Sequence, residues 1–315
     1  MAAGKGVGGE AAADDMFEQL EVRPEGADCE QGALAGGSAG GLRRHAAWWH
    51  ANAKSKLVRE WVVSGFPLCW KGVPAPACEL SNNPSCFKEE SHTVFVRDSV
   101  HTLLRAGAVR RAASKPRCVS PLAVVPKKGG KLRLILNLKH VYKYLSVPKF
   151  KYESLRALGF LARPDDLMFS IDLQDGYWQV DMAASAHTYL GFEWEGQYYE
   201  FTVLPFGLAT APWAFTKVMR EVCGVLRTSG VRTLNYLDDF LFMCGPSESA
   251  ALAQQARVLQ VFRESGLTIN KGKSVLKLSR QVKHLGFAFD SASGNLTIPQ
   301  ERWVALQQQV SKLVG

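Results

Sequence analysis

Apolar residues follow two periods along this chain. Leu42, Ala46, Trp49, Ala53, Leu57 and Trp61 recur at steps of three and four, one face of an amphipathic helix that Gly65 and Pro67 close. Five turn signals in short order (Pro67, Pro74, Pro76, Asn82-Asn83, Pro84) make 66–95 an irregular connection. A second helix is expected over 98–109, with Val100, Leu103, Leu104 and Ala108 inward. Pro212 opens another, carrying Phe215, Val218, Met219, Val222 and Leu226 on one side and ending at Gly230. Ser247 caps the next, with Leu252, Ala256, Leu259 and Phe262 up to Gly266, and PQERWVALQQQVSKLVG begins a last helix.

Between these lie runs of strand character. SPLAVVPKKGGKLRLILNL reads as a hairpin turning at Gly129-Gly130, with Lys127, Lys128, Lys131 and Arg133 around the turn. MFSIDL is a strand; 189–192 and 198–203 pair across Glu195-Gly196. Residues 233–244 are apolar on both sides of Asp238-Asp239 and long enough for two strands folded at the acids. VKHLGFAFD and NLTIP form a final pair turning at Ser293-Gly294. Strands and helices alternate without a regular βαβ rhythm, so the expectation is α+β with a mainly antiparallel sheet.

Composition changes the picture at the N-terminus. Residues 1–41 are Ala/Gly-rich, close on GALAGGSAGG, and bury too little to offset ordering entropy, which predicts a disordered acidic tail. Residues 1–42 carry eight acids against Lys5 and Arg23, a net of −6; with +9 for the whole chain, 43–315 carry +15. A part that basic suits a polyanionic partner, nucleic acid first, as well as plain solubility. No apolar run of membrane-spanning length and no signal-peptide pattern occurs, so an intracellular, non-membrane protein is expected. Seven scattered cysteines fit reduced thiols; Cys69, Cys78, Cys86 and His92 form a zinc set only with unusual spacing, beside the reading of ordinary buried thiols.

The candidate chemistry sits in the acids. Asp172 ends one β-run and Asp238 ends another, so neighbouring strands would bring them to one point. Converging carboxylates repel unless divalent cations lie between them, as Mg²⁺ does at phosphate sites. The competing reading is two solvated aspartates, one in a turn and one at a strand end.

YLDD at 236–239 resembles the Y-x-D-D box of reverse transcriptases. FSIDLQDGYWQV (169–180) resembles their first catalytic motif, LPFGLATAPWAF (204–215) the loop and helix between, and the 120–138 hairpin their fingers. GLTINKGKS (266–274) is similar to the lysine motif and HLGFAF (284–289) to the primer-grip hairpin. PFGL, YLDDFL and LGF look most like gypsy-like and DIRS-like retroelement enzymes, and the spacer LRTSGVRTLNYLDD with the Trp-bearing upstream region leans toward the DIRS-like group.

The resemblance implies a right-hand RNA-directed DNA polymerase: an acidic tail (1–41), a helical extension and connection (42–98), fingers and palm (99–300) and a truncated thumb (301–315). It implies two Mg²⁺ ions, with Mn²⁺ as the alternative, held by Asp172 and Asp238, supported by Asp239 and the carbonyl of Leu173. Tyr177 would be the steric gate against a ribose 2′-hydroxyl, and Phe206-Gly207 the turn beside nucleotide and template. Lys127, Lys128 and Arg133 would meet the triphosphate, Lys273 would protonate the leaving pyrophosphate, and Leu285, Gly286 and Phe287 would grip the primer. Partners would be an RNA or DNA template with its primer and deoxynucleoside triphosphates, in cytoplasm or nucleus. Asn137 departs from the family pattern where an acid is usual, which weakens support for Arg133. The rival expectation is a non-catalytic nucleic-acid-binding remnant; a cyclase on a related palm is disfavoured because it has no template to hold.

Overall fold

The computed structural model describes residues 39–126 and 130–314. Lys127, Lys128 and Gly129 therefore lie outside the described residues, as does most of the acidic tail. At the tail's inner end the structure differs from the expectation: residues 39–41 are an ordered turn, and the Gly40 N–H donates to the Trp178 carbonyl at 3.0 Å.

The architecture is α+β. Its centre is a four-stranded antiparallel sheet in the order β11-β6-β10-β9, formed by β6 (Met168–Asp172), β9 (Arg232–Tyr236), β10 (Asp239–Met243) and β11 (Val275–Ser279). Successive side chains on a strand point to opposite faces, and here both faces are covered. Phe169, Ile171, Phe240 and Phe242 belong to the main core, while Met168, Leu234, Leu241 and Met243 join Leu158, Val282 and Phe289 in a second cluster. That double cover explains the apolar run around the acid pair.

Helices α4 (Ala211–Thr228) and α5 (Glu248–Ser265) belong to the main-core side, where the Phe262 ring meets Phe240 at 5.1 Å. The other face carries the three-stranded antiparallel sheet β12 (Gln281–His284), β13 (Phe287–Asp290) and β14 (Asn295–Thr297), followed by α6 (Gln300–Val314). A five-stranded mixed sheet, β1-β3-β7-β8-β2, combines β1 (Cys78–Glu79), β2 (Val109–Arg111), β3 (Cys118–Val119), β7 (Gly191–Trp194) and β8 (Gln197–Phe201). The basic hairpin is β4 (Leu122–Pro126) with β5 (Leu132–Leu136).

Several expectations change. The first helix is two, α1 (Ala46–Asn52) and α2 (Lys56–Ser64). The break is tertiary: the N–H groups of Lys54 and Ser55 donate to the Glu221 carboxylate at 2.6 and 3.2 Å, and Ser55 caps α2 by accepting from Val58 N–H. The next helix, α3 (Glu90–Ala106), starts two turns earlier than its apolar spacing indicates and stops at Gly107, leaving Val109 to a strand. Helix α5 buries Ala251, Val258, Val261, Phe262 and Ser265 rather than the face through Leu252 and Ala256, and Leu252 is half exposed. VKHLGFAFD is itself a hairpin, turning at Leu285-Gly286, and β11 is a strand that the pattern of VLKLS conceals because half of it is exposed.

Candidate active site

The site is assembled at one end of the central sheet. The β9–β10 hairpin turns on Leu237 and Asp238, and places Asp239 directly opposite Asp172 across the β10–β6 ladder. Opposed residues in a ladder present side chains to the same face, so register alone brings two carboxylates together. The Leu173 N–H donates to the Asp238 carbonyl at 2.9 Å, which ties the turn to the chain leaving β6.

Burial and the neighbouring carboxylates of Asp172 and Asp238 push the Asp239 pKa up to about 7, and the Lys273 ammonium offsets part of that rise. A half-buried cluster of acids that resists its own ionisation is the donor set a hard divalent cation relieves: oxygen ligands only, with like charges to neutralise. The residues therefore fit a Mg²⁺-type ion, with Asp172, Asp238 and Asp239 as the side chains that would hold it.

Other predicted residues gather nearby. Burial, with the Tyr152 hydroxyl and the Asp238 carboxylate, drives the Tyr177 phenol upward, so it stays neutral. Its ring packs on Phe206 at 4.9 Å and on Phe215 at 5.2 Å. Gly207, at φ 91°, passes against the Leu136 carbonyl at the end of the basic hairpin. Arg133 sits on β5 opposite Val125; Lys127 and Lys128 fall in the three residues outside the description. Lys273 is exposed in the turn before β11, and its backbone N–H donates to Asn270 Oδ1 at 3.2 Å. Leu285, Gly286 and Phe287 occupy and follow the β12–β13 turn, where Arg302 Nη1 donates to the Leu285 and Gly286 carbonyls and its guanidinium lies 5.3 Å from the Phe287 ring centre.

Residues that periodicity missed hold these in place. The Asn270 N–H donates to the Asp172 carbonyl at 2.8 Å, and Ser274 Oγ accepts from the Asp172 N–H at 3.0 Å. Buried Gln179 ties two motifs, its amide oxygen accepting from Thr268 N–H and its Nε2 donating to Gln174 O. A Cβ on Gly176 would stand 3.1 Å from Asp238 Cβ and 3.2 Å from Phe215 Cζ, so a side chain there would press on the aspartate and its neighbour by a few tenths of an ångström. His284 points at Asp239, Nδ1 to Oδ1 3.9 Å, with neither ring nitrogen hydrogen-bonded among the described residues. Burial pushes its pKa down to about 4, so at neutral pH the ring is uncharged and the approach is no ion pair. The one sequence signal for this group is polarity inside apolar runs, as at Asn235 and His284.

Residues 125–289 match the family described as reverse transcriptase (RNA-dependent DNA polymerase). The chain belongs to the reverse transcriptase family. Two relatives are Transposon Tf2-3 and Tf2-7 polyproteins of Schizosaccharomyces pombe, 27% and 26% identical over 192 residues, 61% of this chain. The chain spans 14% of the length of those relatives. Among solved structures, foamy viral protease-reverse transcriptase in complex with double-stranded DNA matches 84% of this chain and 48% of its own, with TM-score 0.62 and 19% identity. The same enzyme with an RNA/DNA hybrid matches 84% of this chain and 37% of its own, with TM-score 0.62 and 18% identity. The fold of this reverse transcriptase family member is accordingly that of polymerase fingers and palm. No helix of the described residues is long and apolar enough to cross a membrane.

Proposed function

We propose that the chain is the fingers-palm part of an RNA-directed DNA polymerase of a retroelement, adding deoxynucleotides to a primer 3′ end. The observation that carries this is the register pairing of Asp239 with Asp172 beside Asp238, within a chain that belongs to the reverse transcriptase family. When bound, a pair of Mg²⁺ ions (or Mn²⁺) supplies Lewis-acid activation of the attacking hydroxyl and neutralises the departing pyrophosphate. Asp172, Asp238 and Asp239, with the Leu173 carbonyl, would hold that charge.

The remaining roles belong to the chain's own side chains. The neutral Tyr177 ring, wedged against Phe206 and Phe215, gives a floor that a 2′-hydroxyl would strike. Arg133, with Lys127 and Lys128, offers forked and point donors to triphosphate oxygens. Lys273 gives its proton to the leaving group, and the 285–287 turn seats the primer terminus. Pre-set geometry and charge supply most of the acceleration.

Template and primer, deoxynucleoside triphosphates as substrates, an intracellular site of action and the division at 42, 99 and 301 belong to the same reading. So does a DIRS-like origin, supported by the 226–239 spacer and the Trp-bearing extension; a tyrosine recombinase encoded downstream would support it, and an integrase there would replace it with a gypsy-like one. The test is primer extension on an RNA template by the full-length polyprotein product, with Mg²⁺. Extension abolished by Asp238→Ala is the expected result. Primer–template binding without any metal-dependent extension would leave a nucleic-acid-binding remnant instead.

A further inference from the structure

Away from the carboxylates, β1 and β3 run parallel in a register that sets Cys78 opposite Cys118. The one-turn helix Lys139–Tyr142, just past the fingers hairpin, brings His140 to the same point. One ligand atom from each of the three lies within 4.8 Å of the other two. Cys118 is fully buried, and Cys78 and His140 are partly so. Both His140 ring nitrogens are buried without a hydrogen-bond partner among the described residues. A buried polar atom left unpaired is costly, so an imidazole with two such atoms beside two thiols calls for an explanation. None of the three residues takes part in the chemistry above.

We propose that Cys78, Cys118 and His140 bind a thiophilic divalent cation, zinc first. Two sulfurs and an imidazole nitrogen are the donor types that select zinc over Mg²⁺ or Ca²⁺. Bonds of about 2.3 Å to sulfur and 2.0–2.1 Å to nitrogen at tetrahedral angles place ligand atoms ~3.5–3.8 Å apart, so side-chain shifts of about 1 Å close the site. Charge balances. Each thiol gives up its proton on binding, the imidazole stays neutral, and two thiolates offset the 2+ ion, which suits a mostly buried setting. The Cys118 thiol, which now donates to the Pro76 carbonyl at 3.4 Å, exchanges that bond for the metal. The fourth position is left to water.

The ion staples the irregular connection through Cys78 to the base of the fingers through Cys118 and His140. This replaces the zinc set of Cys69, Cys78, Cys86 and His92: the His92 ring is engaged with the Ser85 carbonyl at 2.7 Å, and neither Cys69 nor Cys86 joins the cluster.

The full chain, purified under reductant with zinc and then dialysed, is expected to retain about one zinc per chain by elemental analysis. Replacement with Co²⁺ should give thiolate-to-cobalt charge-transfer absorption and tetrahedral d–d bands. Cys118→Ser and His140→Gln should each weaken zinc by more than about 100-fold, beyond what loss of an outer-sphere partner costs, while Cys69→Ser and Cys86→Ser keep it. Should Cys118→Ser fail to fold, the wild-type cobalt spectrum and His140→Gln decide. Zinc-free protein, a cobalt spectrum without sulfur charge transfer, or equal loss in the Cys69 and Cys86 variants overturns the proposal. A Cys78–Cys118 disulfide in protein purified under reductant with zinc would overturn it as well. None of these readouts depends on polymerase activity.

Discussion

Two hairpins meet at the candidate active site, and each turns on two residues led by a leucine in the left-handed region: Leu237 at φ 55° and Leu285 at φ 48°. For a side-chain-bearing residue that conformation costs about 1–2 kcal/mol. The offsets differ. In the β9–β10 turn, buried Asn235 donates from Nδ2 to the Leu237 carbonyl at 2.7 Å, and Phe240, Leu241, Phe242 and Met243 beyond it are all fully buried. In the β12–β13 turn, Arg302 reaches in from α6 to the Leu285 and Gly286 carbonyls, and the strands have one apolar face. The carboxylate turn is thus fixed by the core, and the β12–β13 turn is latched by a side chain from the following helix. Under the proposed function, a turn that would hold metal charge benefits from the first arrangement, and one that would seat an advancing primer benefits from the second.

The largest expected effect tests the core-fixed turn. Phe240→Ala should cost about 3–5 kcal/mol in chemical denaturation; Phe289→Ala, in the smaller cluster, should cost no more than the low end of that range. Equal losses would erase the contrast. Next, Asp238→Asn should lower kcat in primer extension by at least about 10²–10³-fold, by analogy with losing one preorganised charge-stabilising group, while thermal stability holds or rises because like-charge repulsion is relieved. A drop in stability matching the drop in rate would make Asp238 structural.

Gly286→Ala comes third. Gly286 sits at φ 76°, and a Cβ there would lie 1.9 Å from Arg302 Nη1, so the latch must release; a cost of about 1–2 kcal/mol is expected. Pairing it with Arg302→Ala in a double-mutant cycle should recover part of that cost, and strict additivity would show that the latch is not the cause. The smallest effect concerns the point where the hairpins touch. His284→Leu removes two buried nitrogens that are unpaired among the described residues, and should stabilise the protein by up to about 1 kcal/mol; a loss of stability would reveal a hydrogen bond between the hairpins.

Much of this was legible in the chain. Pro212 and Ser247 marked two helix starts, Glu195-Gly196 a hairpin, and the apolar run through Asp238-Asp239 a buried strand pair. These are local: a ring-fixed φ, a hydroxyl that caps, glycine's freedom. What misled was distant. The α1–α2 break depends on Glu221 from another helix, and the buried face of α5 depends on which side Phe240 and Trp49 occupy, the Trp49 indole donating to the Ser265 carbonyl. The meeting of Cys78, Cys118 and His140 was hidden for the same reason, since they lie forty and twenty-two positions apart in sequence.

By itself, then, the sequence determined the helix starts at Pro212 and Ser247, the Glu195-Gly196 hairpin, the family motifs in their order, and that the acids sit between buried strands. Backbone preferences and period are properties of neighbours along the chain. Only the tertiary structure decided that Asp239 faces Asp172, that Asn270 and Ser274 hold the Asp172 backbone, that His284 comes uncharged to the edge of the carboxylates, and that Cys78, Cys118 and His140 converge. Strand register and the approach of remote segments are set by packing a shared core, which no local spacing encodes.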